Sequence, residues 1–211
     1  MIPSLRLLAL AAALSLAGAC SILPQSEPVD IYRLPVNQAS HSNTPVDWSL
    51  RLNKPLASEA LAGPRIAVIP QGDVISSYKG ARWSDPVPLL VRNRLLDGFQ
   101  RDGQVQRLSA DDSNLQADYE LSGELLAFQS EYQPDGKVEV VIRFVARLVQ
   151  GRSQRILTST RFEVRQPLAD TRVSTVVAGF GEASDLLAGL VVGWTVAQSG
   201  QAQAKAQAKN Q

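Results

Sequence analysis

The chain has 211 residues, 45% of them hydrophobic, with 21 basic and 20 acidic side chains and a formal net charge of +1. That is apolar material for one sizeable core, and so neutral a surface excludes the electrostatic footprint of a nucleic-acid binder. One cysteine excludes an intramolecular disulfide, so the domain must stand on packing alone.

The N-terminus carries one charge, Arg6, then an apolar run over 7–16 and the small residues Ala17, Gly18 and Ala19 before Cys20. A basic start, an apolar centre of about ten residues and small side chains at a cleavage point predict a signal peptide over 1–19. The run is far short of the roughly 20 apolar residues that a membrane-spanning helix needs. Ala17-x-Ala19 suits ordinary signal peptidase. Leu-Ala-Gly-Ala-Cys resembles a bacterial lipobox, with its leucine one place further from the cysteine than in the commonest pattern. The only thiol of the chain sits where lipidation requires one, so Cys20 is the expected acylation site and first mature residue. Ser21 follows it rather than the aspartate that retains lipoproteins at the inner membrane, which points to an outer-membrane anchor facing the periplasm. Several acyl chains make such an anchor effectively permanent.

Residues 20–28 are polar and proline-bearing and form a tether. Alternating or apolar runs then predict strands at 29–34, 48–52 and 65–69. The loop between the first two holds His41, the only histidine, in a polar setting with no second ligand or nucleophile nearby. Gly72-Asp73 marks a turn, and 74–78 reads as a short edge strand that Lys79-Gly80 ends. Ser84-Asp85-Pro86 opens a helix over about 86–102, with Ser84 or Asp85 as its cap. Val87, Val91, Leu95 and Phe99 face inward with Leu90 and Leu96 beside them; Arg92, Asn93, Arg94 and Asp97 face outward, and Gly103 ends the helix.

A strand at 104–108 precedes three longer ones, at 118–132, 138–149 and 156–164, joined by turns at Pro134-Asp135-Gly136 and 151–154. This is an antiparallel meander, and a change of phase near Gly123-Glu124 predicts a bulge. A final helix over 171–197 carries the stripe Val173, Val177, Phe180, Ser184, Leu187, Val191 and Trp194. Its apolar part, 186–197, is too short to span a bilayer. Gly189 and Gly193 are spaced for close packing, ordinarily against the sheet, with a self-association face as the alternative. Residues 198–211, rich in Gln, Ala and Lys, read as a disordered tail. The expected fold is α/β of the α+β kind: one domain over 29–197, a mostly antiparallel mixed sheet with a long C-terminal meander, packed against two main helices.

Catalytic equipment is missing from the pattern. There is no phosphate-binding Gly-x-x-x-x-Gly-Lys-[Ser/Thr] loop, Gly-x-Ser-x-Gly elbow, His-Glu-x-x-His pair or Cys-x-x-Cys pair. No catalytic residue, metal ligand or cofactor is therefore expected, and the chain reads as a non-enzyme. Arg82-Trp83, a bulky pair in the loop before the first long helix, is a candidate partner contact; Trp83 alternatively covers the helix start.

Ile31-Tyr32-Arg33-Leu34, Arg65-Ile66-Ala67-Val68 and Tyr78-Lys79-Gly80-Ala81-Arg82-Trp83-Ser84-Asp85-Pro86, following a lipobox, resemble the ABC-type transport auxiliary lipoprotein component family (PqiC/YmbA-like). Ala117-Asp118-Tyr119-Glu120-Leu121, Arg161-Phe162-Glu163 and the late Trp194 add to the likeness, which spans about 20–197. The resemblance implies a small α/β domain without catalysis, lipid-anchored at the outer membrane. It also implies work with an MCE-domain protein and its ABC permease and ATPase in intermembrane lipid transport, and it is compatible with a homo-oligomer. The rival readings are a periplasmic lipid-binding carrier and a structural envelope lipoprotein unrelated to transport.

Overall fold

The computed structural model describes residues 28–36, 44–113 and 115–209. The signal segment, Cys20, most of the tether and His41 lie outside the described residues. In chain order the elements are β1 (Asp30–Tyr32), β2 (Val46–Leu52), β3 (Leu56–Ala57), α1 (Glu59–Ala62), β4 (Arg65–Gln71), β5 (Val74–Trp83), α2 (Val87–Asp102), β6 (Val105–Ala110), β7 (Tyr119–Tyr132), β8 (Val138–Gln150), β9 (Arg155–Pro167) and α3 (Val173–Lys209). They build a mixed α+β fold with one nine-stranded sheet.

β7 is the hub. Along one edge it pairs antiparallel with β8 over its whole length, from Tyr119↔Gln150 to Tyr132↔Val138, and β9 continues the meander outside β8. Along its other edge it receives three short strands in succession, all parallel: β2 at Leu50↔Tyr119, β3 at Leu56↔Glu124 and β4 at Ala67↔Gln129. β6 flanks β2 in parallel, β5 flanks β4 antiparallel, and β1 lies parallel outside β5. The meander is as expected from its turns. Most paired residues are antiparallel, whereas β1 to β4 and β6 reach their places through parallel pairing, which alternation within a strand does not encode.

Valine, isoleucine and phenylalanine alternate along β8, so Val138, Val140, Ile142, Phe144, Ala146 and Leu148 all turn inward and are buried. The other face of the meander carries ion pairs, among them Arg143–Glu163 at 3.1 Å, Arg165–Glu163 at 2.7 Å and Arg147–Glu124 at 3.6 Å. The bulge in β7 falls at Leu126, between Leu125↔Phe144 and Ala127↔Arg143, rather than at Gly123-Glu124. It moves the inward positions from Leu121 and Leu125 to Phe128. Gly123 has a different task. A Cβ there would stand 2.4 Å from both the Phe144 ring and the Val145 carbonyl oxygen, so the aromatic ring occupies the missing side chain's place.

β5 does not stop at Lys79-Gly80. Gly80 adopts φ 65° and the register with β4 jumps from Ala67↔Ser77 to Arg65↔Arg82, a bulge that lets the strand resume and run to Trp83. The stretch 74–78 lies at the edge of the sheet as expected, since β1 covers only the last three residues of β5. In α2 the inward stripe and the Gly103 terminus, with φ 78° and an N–H donated to Phe99 O, are as read from the sequence. The cap is not. Pro86 occupies that position, and Ser84 Oγ donates to the Asp85 carboxylate instead of serving the helix.

α3 buries the expected stripe but runs to Lys209, so 198–209 is helical rather than a disordered tail. Gln, Ala and Lys are good helix formers, and Ser199 is buried with its hydroxyl donating to the Thr195 carbonyl. Val173–Lys205 is long and apolar enough to cross a membrane by composition, yet 61% of its most apolar window is buried against the sheet and α2. Its inner face is held by aromatic packing. Phe180 stacks on Phe128 with centroids 4.7 Å apart, and Trp83 meets Phe180 edge-on at 5.2 Å.

Two measurements test this packing. Gly123→Ala should cost about 2–3 kcal/mol by forcing Phe144 or the ladder to move, read as a lower urea midpoint. Glu120 is buried on β7; burial pushes its carboxyl up, but hydrogen bonds from Asn53, Gln154 and Arg51 outweigh it and hold it below the ordinary glutamate range. Its contribution is therefore complete above the unfolded value of about 4.3 and lost as pH falls through the lower folded value. Glu120→Gln should be about 1–3 kcal/mol less stable at pH 7, and the gap to the parent should close on acid titration followed by circular dichroism.

Candidate docking surface

The outward face of α3 bears Leu186, Gly189, Leu190, Gly193, Ala197 and Gly200, all exposed, with Leu186 at 54% and Leu190 at 51%. The spacing of three and four residues places them on one side of the helix, opposite the buried stripe. A Cβ added at Gly189 or Gly193 would meet nothing within 4 Å. These glycines therefore do not serve contact with the sheet, the ordinary expectation for them. Close approach inside the fold is made elsewhere: Gly98 on α2 would place a Cβ 3.0 Å from Ala188 of α3, and Gly181 would place one 3.0 Å from Pro35. The outward glycines leave bare backbone flanked by two leucines, a surface onto which another helix can settle closely.

The helix presents this face because its other side is fixed at several points. The Arg94 guanidinium on α2, buried, donates to Asp185 of α3 and to the carbonyls of Leu34 and Pro35. Arg101 reaches the same Asp185 oxygen at 3.2 Å and Asp97 at 2.9 Å. One cluster thus clamps α2, α3 and the segment after β1. Arg92, also buried, pairs with Asp111 and with Asp112 at 3.1 Å beyond β6. Helical periodicity puts both arginines on the outside of α2. They turn inward because the chain supplies carboxylates at 111, 112 and 185, positions that the pattern within α2 cannot reveal.

Arg82 and Trp83 part company. Trp83 is 0% exposed, at the end of β5 and beneath α3, so it is a core residue and not a partner contact. Its indole N–H has no hydrogen-bond partner among the described residues. Arg82 is exposed beside β1. Cys20 is outside the described residues.

No group of three or more His, Cys, Asp or Glu among the described residues could hold a metal ion. Burial pushes Asp111 and Glu163 up, but arginine neighbours outweigh it and both carboxyls are held low; Asp118 is held low first by the Ser49 hydroxyl and then by the Ser49 N–H. All three are thus held ionised by their neighbours, and none has the raised carboxyl of a general acid. A groove of about 430 Å³ is open and mixed in character, lined by Tyr119, Arg155, Leu157, Gln198 and Lys205 among others.

Comparison with known proteins covers most of the described domain. Residues 32–192 match the family model described as ABC-type transport auxiliary lipoprotein component. Protein XCC0632 from Xanthomonas campestris, whose crystal structure is assigned to family DUF330, is similar over 82% of this chain and 99% of its own, with 27% identity and a TM-score of 0.76. A second crystal structure, of an uncharacterized protein, shares the fold with a TM-score of 0.61 at 16% identity, covering 79% of this chain and 97% of that one. The uncharacterized protein bll6063 of Bradyrhizobium diazoefficiens is 30% identical over 165 residues, which is 78% of this chain. The chain spans 43% of the length of that curated relative.

The clamp predicts an asymmetry between its arginines. Arg94→Leu should destabilise the fold by about 3 kcal/mol or more, because it strands carbonyls and part of a carboxylate in a buried setting. Arg101→Leu, which leaves Arg94 on Asp185, should cost about 1 kcal/mol or less. Urea unfolding of the two variants checks the order.

Proposed function

The chain belongs to the family of ABC-type transport auxiliary lipoprotein components, and we propose that it is the non-catalytic periplasmic lipoprotein subunit of an MCE-type intermembrane lipid transport system. In this reading Cys20 carries the lipid anchor in the outer membrane. The MCE protein docks on the outward face of α3, and the ABC permease and ATPase perform the energised steps elsewhere. The observation that carries the reading is the exposed apolar face at Leu186, Gly189, Leu190 and Gly193, held outward by a clamped and fully packed inner face. A partner that offers a helix buries both leucines and covers bare backbone there, at little entropic cost to a rigid helix. Arg82 remains a secondary candidate contact at the β1–β5 edge.

The carrier alternative needs room for an acyl chain between sheet and helix. That space is occupied: Phe128, Phe180 and Trp83 fill it in mutual contact, and Leu121, Leu125, Ile142 and Phe144 are buried around them.

A mild-detergent pull-down of the full-length protein from its own membranes should enrich an MCE-domain protein with its permease and ATPase; recovery of none of them after cross-linking would sink the proposal. Leu190→Asp should lower the recovered MCE protein about tenfold or more while moving the unfolding free energy by less than about 0.5 kcal/mol. If the variant instead keeps the transporter and loses assembly mass in solution, the face belongs to a second copy of this chain. Cys20→Ser should release the protein to the soluble periplasm or leave it unprocessed, and unchanged outer-membrane fractionation would defeat the anchor.

A further inference from the structure

The β4–β5 hairpin closes one end of the sheet, its tip level with the β7–β8 turn. β4 pairs with β7 only as far as Ile69↔Glu131, and every residue from 70 to 76 is exposed. Val74 is 64% exposed and Ile75 42%, although neighbouring residues on a strand point to opposite faces. Both faces of the strand are therefore bare, and neither side chain belongs to the core. Between 70 and 76 the only charge is Asp73. The root of the hairpin is fixed, since Tyr78 hydrogen-bonds Ser130 Oγ at 2.9 Å.

Strand polarity says what lies at this end of the molecule. β4 and β7 run parallel and finish here, so the tip at Gly72-Asp73 sits on the same side as Tyr132, an exposed tyrosine, and the adjoining turn with Pro134 and Lys137. β1 is parallel to β5, with Asp30 opposite Ala81, so the chain upstream of β1 is directed toward this same end. Pro28 already lies beside Gly80, its carbonyl oxygen 3.9 Å from where a glycine Cβ would be. From Gly80 to Val74 is six strand residues, about 20 Å. Cys20 is eight residues upstream of Pro28, a reach of up to about 28 Å. The tether is long enough to bring its cysteine level with the hairpin tip, and little longer.

We infer that the β4–β5 hairpin is a bilayer-contacting finger, with Val74 and Ile75 seated among the lipid headgroups and upper acyl chains of the membrane that holds Cys20. Two β-branched apolar side chains on a tip whose only charge is Asp73, beside Tyr132 and a turn in which Lys137 pairs with Asp135 at 2.7 Å, suit the interface better than water. The contact removes rotational freedom from a domain on a short tether. It turns the hairpin end toward the lipid, and it sends α3, which starts at this end after β9, away from the bilayer with its later turns furthest out. The inference rests on the Cys20 anchor proposed above.

The full-length lipidated protein, reconstituted in vesicles of phosphatidylethanolamine and phosphatidylglycerol, tests it. Val74→Cys and Ile75→Cys are labelled with an environment-sensitive fluorophore, with Ile156→Cys, exposed at the opposite end of the sheet, as the reference site. Acylated Cys20 does not take the label. The expected result is severalfold stronger quenching at 74 and 75 than at 156 by nitroxide-bearing lipid, and weaker quenching by aqueous iodide. Probes at 74 and 75 as accessible to iodide as the probe at 156, with Cys20 acylated by mass, overturn the finger alone. Label incorporation at Cys20 of the unsubstituted protein overturns the anchor, and the finger with it.

Discussion

Aromatic packing between Phe180 of α3, Phe128 of β7 and Trp83 at the end of β5 fixes how the long helix sits on the sheet. The Phe pair is stacked and the indole meets both rings edge-on, at 5.2 and 6.1 Å. These contacts join the hub strand, the last residue of β5 and the long helix at one buried point. Once Phe180 is fixed, the helical repeat decides which residues of α3 point at the sheet and which cannot. Leu187 and Val191 go inward with it, and Leu186, Gly189, Leu190 and Gly193 are left outside. The outward apolar face is thus a consequence of core packing rather than of any separate device.

The Arg94 cluster adds a second constraint of a different kind. A buried guanidinium shared among a carboxylate and two carbonyls is expensive to desolvate and costly to disrupt, so it specifies one arrangement of α2, α3 and the 34–35 segment. That segment continues directly from β1 and the tether.

The legibility of each element in the sequence depends on how far along the chain its determinants lie. The inward stripe of α3, the Gly103 terminus and the two hairpins of the meander depend on periodicity and turn chemistry within a few residues, and they are visible as patterns. The phase change in β7 is visible too, as the step from Leu121 and Leu125 to Phe128, but it only brackets the bulge that sits at Leu126. Arg92 and Arg94 escape a pattern-based reading because their partners are far away in the chain, at Asp111, Asp112 and Asp185. Gly80 reads as a terminus because a positive φ serves a strand end and a bulge equally well. Trp83 falls in a loop for the same reason, the early end of the strand, which leaves a partner contact and a cover for the helix start both open. The direction of Gly189 and Gly193 is contained in the stripe itself, seven residues of which exclude them; the spacing rule for small residues obscures that simpler inference.

The packing between sheet and α3 favours the proposed reading over a carrier. A protein that encloses a lipid keeps its apolar surface turned inward around a void, whereas here the interior is filled by aromatic rings. The outer face of the meander is closed to the same use by its arginine and glutamate pairs, such as Arg143–Glu163 and Arg165–Glu163. Among the uncovered apolar groups are Val74 and Ile75 at the hairpin end and Leu186 and Leu190 along the outer side of α3. The two regions differ in form. One is a small tip suited to a soft, non-specific surface; the other is a rigid ridge with glycine backbone, suited to a shaped partner. In the proposed arrangement, these two surfaces let the domain hold a protein partner away from the membrane that anchors it.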